Sequence, residues 1–460
     1  MKKVFVIGLD CATPSIVFDR ADEFPNLNKL INEGSKAKFR TCHPPITIPA
    51  WLTMVTSQTA GDMGLYGFRH RKGNSYKDIE LSFSDKIDTP AIWDIIAKKD
   101  MKSCLMGIPP SFPPKEINGN LISCFMTPDA DRDYTYPTSL KDEIESKFGK
   151  YQFDVKFRTD DRDTLLDGLH EMTKQHFNAI EYLLQNKPWQ FFMFVEIGVD
   201  RAHHGFWKFH DKNHHAYEPG NKYENAIINY YKMLDERVGK LLGMLDEDTV
   251  IFVVSDHGAK SMKGAFCVNQ WLIDKGYLAL KEKPGSGSSL DEANIDWKKT
   301  KAWGWGGYYA RIFLNIKGRE KEGSIPGFRH NAWCNKLKRE IADIKGPNGE
   351  AWDTKVYKPE ELYPIANGNP ADLFVYFDDI NWRSAGTIGH PSMYLSENDS
   401  GPDDSMHDWD GIFIMHDPKN KACKDLGTVS ILDFAPTVLD ILGVDIPDKM
   451  RGKSIFSIKN

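Results

Sequence analysis

The chain has 460 residues, of which 41% are hydrophobic and 27% charged, and its formal net charge at pH 7 is -6. An apolar share of this size is enough for a large core, and the sequence contains no basic stripe of the kind that binds nucleic acid. No stretch is long and apolar enough to predict a membrane span, and the short apolar run that leads into Asp10 does not resemble a signal peptide.

The cysteines favour a cytoplasmic location. There are seven, an odd number, and no two have Cys-x-x-Cys spacing. Such a set predicts reduced thiols and not a disulfide framework. Cys11 and Cys42 stand near candidate site residues in the sequence, and we expect them to be small buried packing residues.

Three apolar strands are predicted, and an acidic residue follows each of them. They are Lys2–Leu9 before Asp10, Phe191–Val199 before Asp200, and Thr249–Ser255 before Asp256. Helices are predicted at Pro25–Glu33, Ala91–Lys98, Thr164–Gln185 and Asn225–Asp246. Alternating strands and helices indicate a parallel sheet covered on both faces, and ligands bind such sheets outside the carboxyl ends of the strands.

The middle of the chain has a different character. Pro284–Ser289 is rich in proline, glycine and serine, and the aromatic, glycine-rich run Trp303–Tyr309 precedes a predicted strand at Arg311–Ile316. The aromatic run fits either a buried junction between two parts of the protein or a platform on which a substrate ring stacks.

Seven residues at strand ends and turns form the predicted site. They are Asp10, Thr47, Asp200, His204, Asp256, His257 and His407. Each is a weak signal alone, since an aspartate after a strand also serves as a helix cap. After Asp256-His257, Gly258 is expected to let the chain turn sharply. Three carboxylates, three imidazoles and one hydroxyl suit two divalent metals and an activated alcohol nucleophile, which predicts metal-assisted hydrolysis of a phosphate ester.

Further motifs appear in a fixed order around these residues. They are Pro45-Ile46-Thr47-Ile48-Pro49, Ser255-Asp256-His257-Gly258 and the C-terminal Asp433–Leu439. With them the chain resembles the alkaline phosphatase superfamily, and within it the type I phosphodiesterase/nucleotide pyrophosphatase group. The resemblance implies an α/β fold with a mostly parallel sheet, helices on both faces and an inserted α+β cap. We place the catalytic core at residues 1–265 and 386–460 and the cap at 266–385.

The resemblance also implies how the site works. Asp200, His204 and His407 correspond to the ligands of one metal, and Asp10, Asp256 and His257 to those of the other, to which the Thr47 hydroxyl also binds as the nucleophile. The metal is most often zinc, and manganese in relatives that move phosphate between sugar positions. The implied course is attack by Thr47, a phosphothreonine intermediate and its hydrolysis. The implied substrate is a small phosphorylated molecule, with a nucleotide as one candidate, and neither bulk nucleic acid nor a membrane as partner.

Two assignments, those of His407 and Thr47, have competitors within the sequence. His390 and His416 are alternatives to His407 as the third imidazole. Cys42 begins a segment like a sulfatase maturation motif, but Ile46 stands where that motif needs arginine, so Thr47 is the better nucleophile.

Substrate choice is open because Ala50 stands where nucleotide pyrophosphatases usually have an asparagine that supports a phosphate oxygen. A cation would then take over that role. The candidates are Arg69, Arg71, Arg201, Lys260 and Lys263. A phosphomonoesterase, a phosphomutase and a phosphonate hydrolase share the same metal core. A non-catalytic metal-binding partner protein is the alternative from another class, although a scaffold needs no hydroxyl such as Thr47. The oligomeric state has no signal in the sequence.

Overall fold

The computed structural model describes residues 2–457. The strands in this range are β1 (Lys3–Leu9), β2 (Ser35–Arg40), β3 (Arg69–Arg71), β4 (Ile79–Leu81), β5 (Ser103–Met106), β6 (Gly119–Ile122), β7 (Thr135–Tyr136), β8 (Phe191–Glu196), β9 (Thr249–Val254), β10 (Gly258–Ser261), β11 (Ala265–Cys267), β12 (Ala302–Trp305), β13 (Ala310–Leu314), β14 (Lys355–Tyr357), β15 (Leu373–Tyr376), β16 (Arg383–Ala385), β17 (Tyr394–Leu395), β18 (Ser405–Asp408), β19 (Asp410–His416) and β20 (Lys424–Ser430). The α-helices are α1 (Pro14–Val17), α2 (Pro25–Glu33), α3 (Thr47–Thr56), α4 (Ala60–Met63), α5 (Ile92–Ala97), α6 (Ser139–Phe148), α7 (Arg162–Asn186), α8 (Gly198–His210), α9 (Ala226–Leu242), α10 (Val268–Asp274), α11 (His330–Ala342), α12 (Pro359–Leu362) and α13 (Phe434–Ile441).

The central element is a large sheet whose nine strands, within residues 2–457, have the order β20-β2-β19-β9-β1-β8-β5-β6-β7. The run β9-β1-β8-β5-β6 is parallel throughout, as is the pair β2-β20. β19 is antiparallel to both of its neighbours, and β7 is antiparallel to β6. The predicted mostly parallel α/β fold is confirmed.

The sheet separates two apolar layers. Alternate residues of β1 point to opposite faces: Phe5 and Ile7 pack with α1, α2, α7, α8 and α9, whereas Val4 and Val6 pack with α3, α5 and α13. All four side chains are completely buried. A strand covered on both faces reads as a continuous apolar run, which is why β1 was recognisable in the sequence.

The predicted end of the strand Phe191–Val199 is wrong. β8 stops at Glu196 and α8 begins at Gly198, so Asp200 lies in the first turn of a helix and not directly after a strand. The Glu196 carboxylate accepts a hydrogen bond from the amide of Gly198 (2.9 Å) and fixes this abrupt change. Apolar periodicity alone does not separate a buried strand from the buried start of a helix.

A second apolar core lies in the segment predicted to be the cap (residues 266–385). It is built on a four-stranded antiparallel sheet of order β12-β13-β15-β14. β11 and β16, which lie at the two predicted boundaries, pair side by side, with Ala265 opposite Arg383. The division at residues 265 and 385 stays a prediction. The β3-β4 hairpin also joins the cap, since Tyr76 stacks on Trp297 at 3.8 Å.

Two observations bear on the expected location. Within residues 2–457, no helix combines the length and the apolar character that crossing a membrane requires. In the same range none of the seven cysteines is joined in a disulfide, and Cys11 is buried as expected. The cytoplasmic location stays a prediction.

Candidate active site

The acidic residues of the predicted site meet because their strands are neighbours. Asp10 follows β1, Asp256 follows β9, and Asp200 follows β8 in the first turn of α8. β9, β1 and β8 are adjacent and parallel, so their carboxyl ends lie at one edge of the sheet. His407 reaches the same edge from β18, which pairs with β10 and places Ala259 opposite His407.

The first group of ligand atoms comes from Asp10, Asp256 and His257. These residues are completely buried, and their ligand atoms all lie within 4.8 Å of one another. Nε2 of His257 is 3.1 Å from Oδ2 of Asp256 and 3.9 Å from Oδ1 of Asp10. The Trp51 indole donates a 2.7 Å hydrogen bond to Oδ2 of Asp10, and the Cys11 amide donates one to Oδ1 of Asp256. Both carboxylates are thereby held with one oxygen free to face a cation.

The second group centres on Asp200. Its Oδ1 is 3.2 Å from Nε2 of His204 and 3.8 Å from Nε2 of His407. The ligand atoms of Asp200, His257 and His407 also lie within 4.8 Å of one another, and the rings of His257 and His407 stack at 3.7 Å. His257 therefore touches both groups, and the division of the ligands between two metals stays a prediction.

Each histidine has one ring nitrogen occupied by a partner outside the site. Nδ1 of His407 lies 2.7 Å from the carbonyl oxygen of Pro45, and Nδ1 of His257 lies 3.1 Å from that of Gly258. Nδ1 of His204 lies 2.6 Å from Oδ1 of Asp403. Because a carbonyl oxygen can only accept, Nδ1 carries the proton in His407 and His257, which leaves Nε2 with a lone pair for a metal.

The electrostatics of the site indicate missing positive charge. Burial raises the pKa of Asp10 well above its usual range, and the negative charge of Asp200 raises it further. Burial also raises the pKa of Asp256 well above its usual range, and the negative charge of Asp10 raises it further. Burial lowers the pKa of His257 to about 4, so its imidazole is neutral at pH 7. The neutral imidazole of His257 and the crowded carboxylates belong to a donor set that divalent metals bind.

Four buried polar atoms that point into the site have no hydrogen-bond partner among residues 2–457. They are Oδ1 of Asp10, Oδ1 of Asp200, Oδ2 of Asp256 and Nε2 of His407. A buried polar atom without a partner costs free energy, and four at one place are explained by cations that they would coordinate. The residues present therefore fit the divalent metals that the sequence predicts.

Thr47 is the first residue of α3 and is 3% exposed. Its hydroxyl oxygen lies 3.4 Å from Nε2 of His257. Ile46 precedes it in an extended conformation (φ -130°), so the helix starts at the site. Ala50, one turn later, is completely buried in the apolar layer between α3 and the sheet. The Cys42 thiol lies 3.4 Å from the carbonyl oxygen of Pro44, and burial raises its pKa to about 12, but the residue is half-buried and not fully buried as expected.

The two competing histidines are engaged elsewhere. Nε2 of His390 lies 2.7 Å from the hydroxyl of Thr387. His416 lies at the opposite end of β19, where its Nε2 is 3.4 Å from Glu33. The structure brings His407 to the site and neither of the others.

Gly258 was expected to allow a sharp turn, and this reason for the glycine is wrong. This glycine does not adopt a left-handed conformation. A Cβ atom placed on it would lie 2.2 Å from the carbonyl oxygen of Asp410. Glycine is needed here because β19 approaches closely, and not because the chain turns.

The candidate cations differ in their acidic partners. Nη1 of Arg201 lies 2.6 Å from Oδ2 of Asp200, which places this guanidinium at the site. Arg71 pairs with Glu320 at 3.1 Å, and Lys260 and Lys263 pair with aspartates of their own. Arg69 has none of these ion pairs and lines the cavity beside the site.

That cavity has a volume of about 610 Å³. Ile46, Arg201 and Tyr308 line it and connect it to the centre, since Tyr308 stacks on His407 at 3.7 Å. The Trp303–Tyr309 run is partly a buried junction, since Trp303 is completely buried, and Trp303, Trp305 and Tyr308 all line the cavity. Stacking of a substrate ring on this run stays a prediction.

Three residues at the site were missed by sequence reasoning. The Tyr308 hydroxyl lies 3.0 Å from Nε2 of His204, Asp403 binds Nδ1 of the same ring, and Arg383 pairs with Asp403 at 2.8 Å. The nearness of Asp403 to His407 in the sequence was the one available signal. Tyr308 and Arg383 come from the segment without recognisable motifs.

A further cluster of potential ligands, His330, Cys334 and Asp372, lies away from the site. Arg319 donates hydrogen bonds of 2.7 Å to both oxygens of Asp372. Because a guanidinium already neutralises that carboxylate, the cluster is an ion-pair network and not a cation site.

Comparison with known proteins identifies the family. The family model described as type I phosphodiesterase / nucleotide pyrophosphatase matches residues 4–409. The chain belongs to this family. It is therefore a metal-dependent phosphoric ester hydrolase, and the family acts on nucleotides and other small phosphoesters. No curated protein matches the chain.

Among solved structures, the fold is similar to that of human ectonucleotide pyrophosphatase / phosphodiesterase 5. The two chains are 14% identical, with a TM-score of 0.59, over 99% of this chain and 98% of the human one. At this identity the similarity concerns the fold, which is the α/β architecture with the large central sheet.

Proposed function

We propose that this family member hydrolyses a small phosphate ester through a phosphothreonine on Thr47, at a centre for two divalent metals. Zinc is the metal that the mixed carboxylate and imidazole donors favour, with manganese as the alternative. The observation that carries the proposal is the convergence of the four unpartnered buried atoms beside the Thr47 hydroxyl.

In this proposal the seven predicted residues have the roles that the family resemblance implies. Asp200, His204 and His407 would hold one metal, and Asp10, Asp256 and His257 the other. When bound, the metals supply positive charge that polarises the phosphoryl group and eases loss of the proton from the attacking hydroxyl.

The chain's own groups then account for the displacement. The Thr47 hydroxyl releases its proton to solvent as its oxygen attacks phosphorus, the bond to the leaving oxygen breaks, and that oxygen departs with the electron pair and takes a proton from solvent. In the second half water attacks the phosphothreonine and releases a proton to solvent, and the Thr47 oxygen leaves with the electron pair and regains a proton. The N-terminus of α3 would face the phosphoryl group with the amides of Thr47 and Ile48, because Pro49 has no N–H and the Ala50 amide donates to the carbonyl oxygen of Ile46.

Phosphate oxygens need charge or donors that Ala50 does not supply, because its side chain lies in the apolar layer. We assign this work to the first-turn amides of α3 and to Arg201. The Arg201 guanidinium also binds Asp154 at 2.7 Å, which holds it beside Asp200. Because residue 50 has no side-chain amide, both monoesters and diesters are tested as substrates.

The test is a screen of the zinc-loaded and manganese-loaded protein. p-Nitrophenyl phosphate, its ethyl diester, a nucleoside p-nitrophenyl ester and a p-nitrophenyl phosphonate cover the ester classes. Acid quenching during turnover, followed by peptide mass analysis, should reveal phosphate on Thr47. Turnover of any ester with no phosphate on Thr47, and with activity retained in Thr47→Ala, would contradict the mechanism. Absence of turnover with all four would favour the non-catalytic alternative.

A further inference from the structure

Two arginines of the cavity lie over the same aromatic ring. The guanidinium carbon of Arg69, on β3, is 5.5 Å from the ring centroid of Trp305, and that of Arg311, on β13, is 4.9 Å from it. Arg311 and Trp305 are directly opposite each other on the paired strands β13 and β12. Nη1 of Arg311 donates a 2.7 Å hydrogen bond to the carbonyl oxygen of Arg69, which draws the two residues together.

Neither arginine has an acidic partner. Within residues 2–457, no carboxylate oxygen lies within 4.0 Å of a guanidinium nitrogen of Arg69 or Arg311. The other arginines that line the cavity differ in this respect. Arg201 is paired with two aspartates, and Arg158 and Arg383 are both paired with Asp403.

The position of this pair is unfavourable without a ligand. Arg311 is only 7% exposed, and burying a charge costs free energy unless an opposite charge or hydrogen bonds compensate it. Burial and the neighbouring charge of Arg69 lower the pKa of Arg311 accordingly. The aromatic face of Trp305 offsets part of this cost, but it does not remove the repulsion between two like charges.

We propose that Arg69 and Arg311 bind a second anionic group of the substrate, in addition to the phosphoryl group that reacts. The proposal rests on the function proposed above and names the substrate class: a phosphate ester that also carries a carboxylate or a further phosphate. Guanidinium groups bind both anions in bidentate geometry, and stacking on Trp305 keeps the guanidinium planes ordered. Ile46, next to Thr47, lines the same cavity, so one molecule can reach both places.

Three matched esters test the proposal on the metal-loaded protein. Ethyl p-nitrophenyl phosphate has no second anion, the 2-carboxyethyl ester adds a carboxylate, and the 2-phosphoethyl ester adds a phosphate. The measured quantity is the ratio of kcat/KM for each anionic ester to that for the ethyl ester. The anionic ester with the larger ratio in the wild type identifies the second group.

Arg69→Gln and Arg311→Gln should each lower that ratio by about 10- to 100-fold, the range expected for losing a hydrogen-bonded charge partner. Arg329→Gln is the matched control. Arg329 is also exposed, lies over an aromatic ring, Phe328, at 5.7 Å, and does not line the cavity. This variant removes the same charge and should leave the ratio unchanged.

A ratio that changes by less than about threefold in both variants overturns the proposal, because a hydrogen bond to a charged group contributes more than that. Should Arg311→Gln fail to fold, Arg69→Gln decides alone, since Arg69 is exposed. If the wild type hydrolyses none of the three esters, the proposed function fails, and calorimetric titration with succinate decides the anion site separately. Loss of succinate binding in Arg69→Gln then supports the site, and unchanged binding overturns it.

Discussion

The Thr47 hydroxyl oxygen lies 3.4 Å from Nε2 of His257, the ring that touches both groups of ligand atoms. α3 begins at this threonine, and its Trp51, one turn further on, binds Asp10 at 2.7 Å. One short helix therefore sets the position of the nucleophile and of a carboxylate relative to each other. Changes at Thr47 should leave Asp10 in place, because Trp51 and not Thr47 holds this carboxylate.

Thr47→Ala should keep metal content near that of the parent and lose most turnover. Removal of a covalent nucleophile costs several orders of magnitude in rate in other enzymes. Initial rates on the best ester of the screen, together with elemental analysis, measure both effects. Thr47→Ser is the control, since it keeps a hydroxyl and should retain far more activity. A Thr47→Ala protein with about a tenth of parental activity would exclude the nucleophile role.

Elemental analysis of variants should show which residues are metal ligands. A paired-metal centre predicts about two metals per chain in the parent and about one in Asp256→Ala or His407→Ala. His257→Ala should weaken both positions, because Nε2 of His257 lies among both groups of ligand atoms. His390→Ala and His416→Ala are the controls and should keep both metals. Loss of a metal in either control, with both retained in His407→Ala, would show that the third imidazole is misassigned.

The parts of the fold that local chemistry dictates were predictable, and the parts set by packing were not. β1 and β9 were recognisable because both of their faces are buried, and the rule for parallel sheets then placed Asp10 and Asp256 at one edge. Tyr308 was not predictable as a site residue. It reaches His204 because the cap packs over the core, and no local pattern in the sequence encodes that contact.

The surroundings of Ala50 could not be predicted from the sequence either. Its departure from the family pattern was visible in the sequence, but the sequence did not show that the side chain would lie in an apolar layer. The arginines of the cavity were likewise visible as charges. Which of them already have acidic partners depends on distant residues such as Asp154 and Asp403.

Asp403 should matter for metal affinity although it is not among the predicted ligands. Its Oδ1 lies 2.6 Å from Nδ1 of His204, which orients Nε2 of that ring towards Asp200. Substitution of a carboxylate that binds a ligand histidine in this way typically lowers metal affinity by about 10- to 100-fold. In competition with a chelator, Asp403→Asn should lower the affinity for one metal by this amount, whereas Asp445→Asn, at an exposed position, should not. Equal affinities in parent and Asp403→Asn would show that the ring is oriented without this bond.

The His330–Asp372 pair should make part of the stability depend on pH. Nε2 of His330 lies 2.7 Å from Oδ1 of Asp372, and this hydrogen bond raises the pKa of His330 from 6.5 to about 10. Below pH 6.5 the histidine is charged in both folded and unfolded chains, so the pair contributes fully. As the pH rises towards 10 the unfolded chain loses the proton first, and the contribution falls and is gone above that value.

The measurement is the free energy of unfolding of the wild type minus that of His330→Gln, from denaturant titrations between about pH 6 and pH 10. Taking the difference removes the titration of all other groups. His330 is the first residue of α11, where the helix dipole disfavours a positive charge, so two effects oppose each other. A difference that falls with pH shows that Asp372 dominates. A difference that rises with pH would mean that the dipole and solvent screening outweigh the ion pair, and that the raised pKa is wrong.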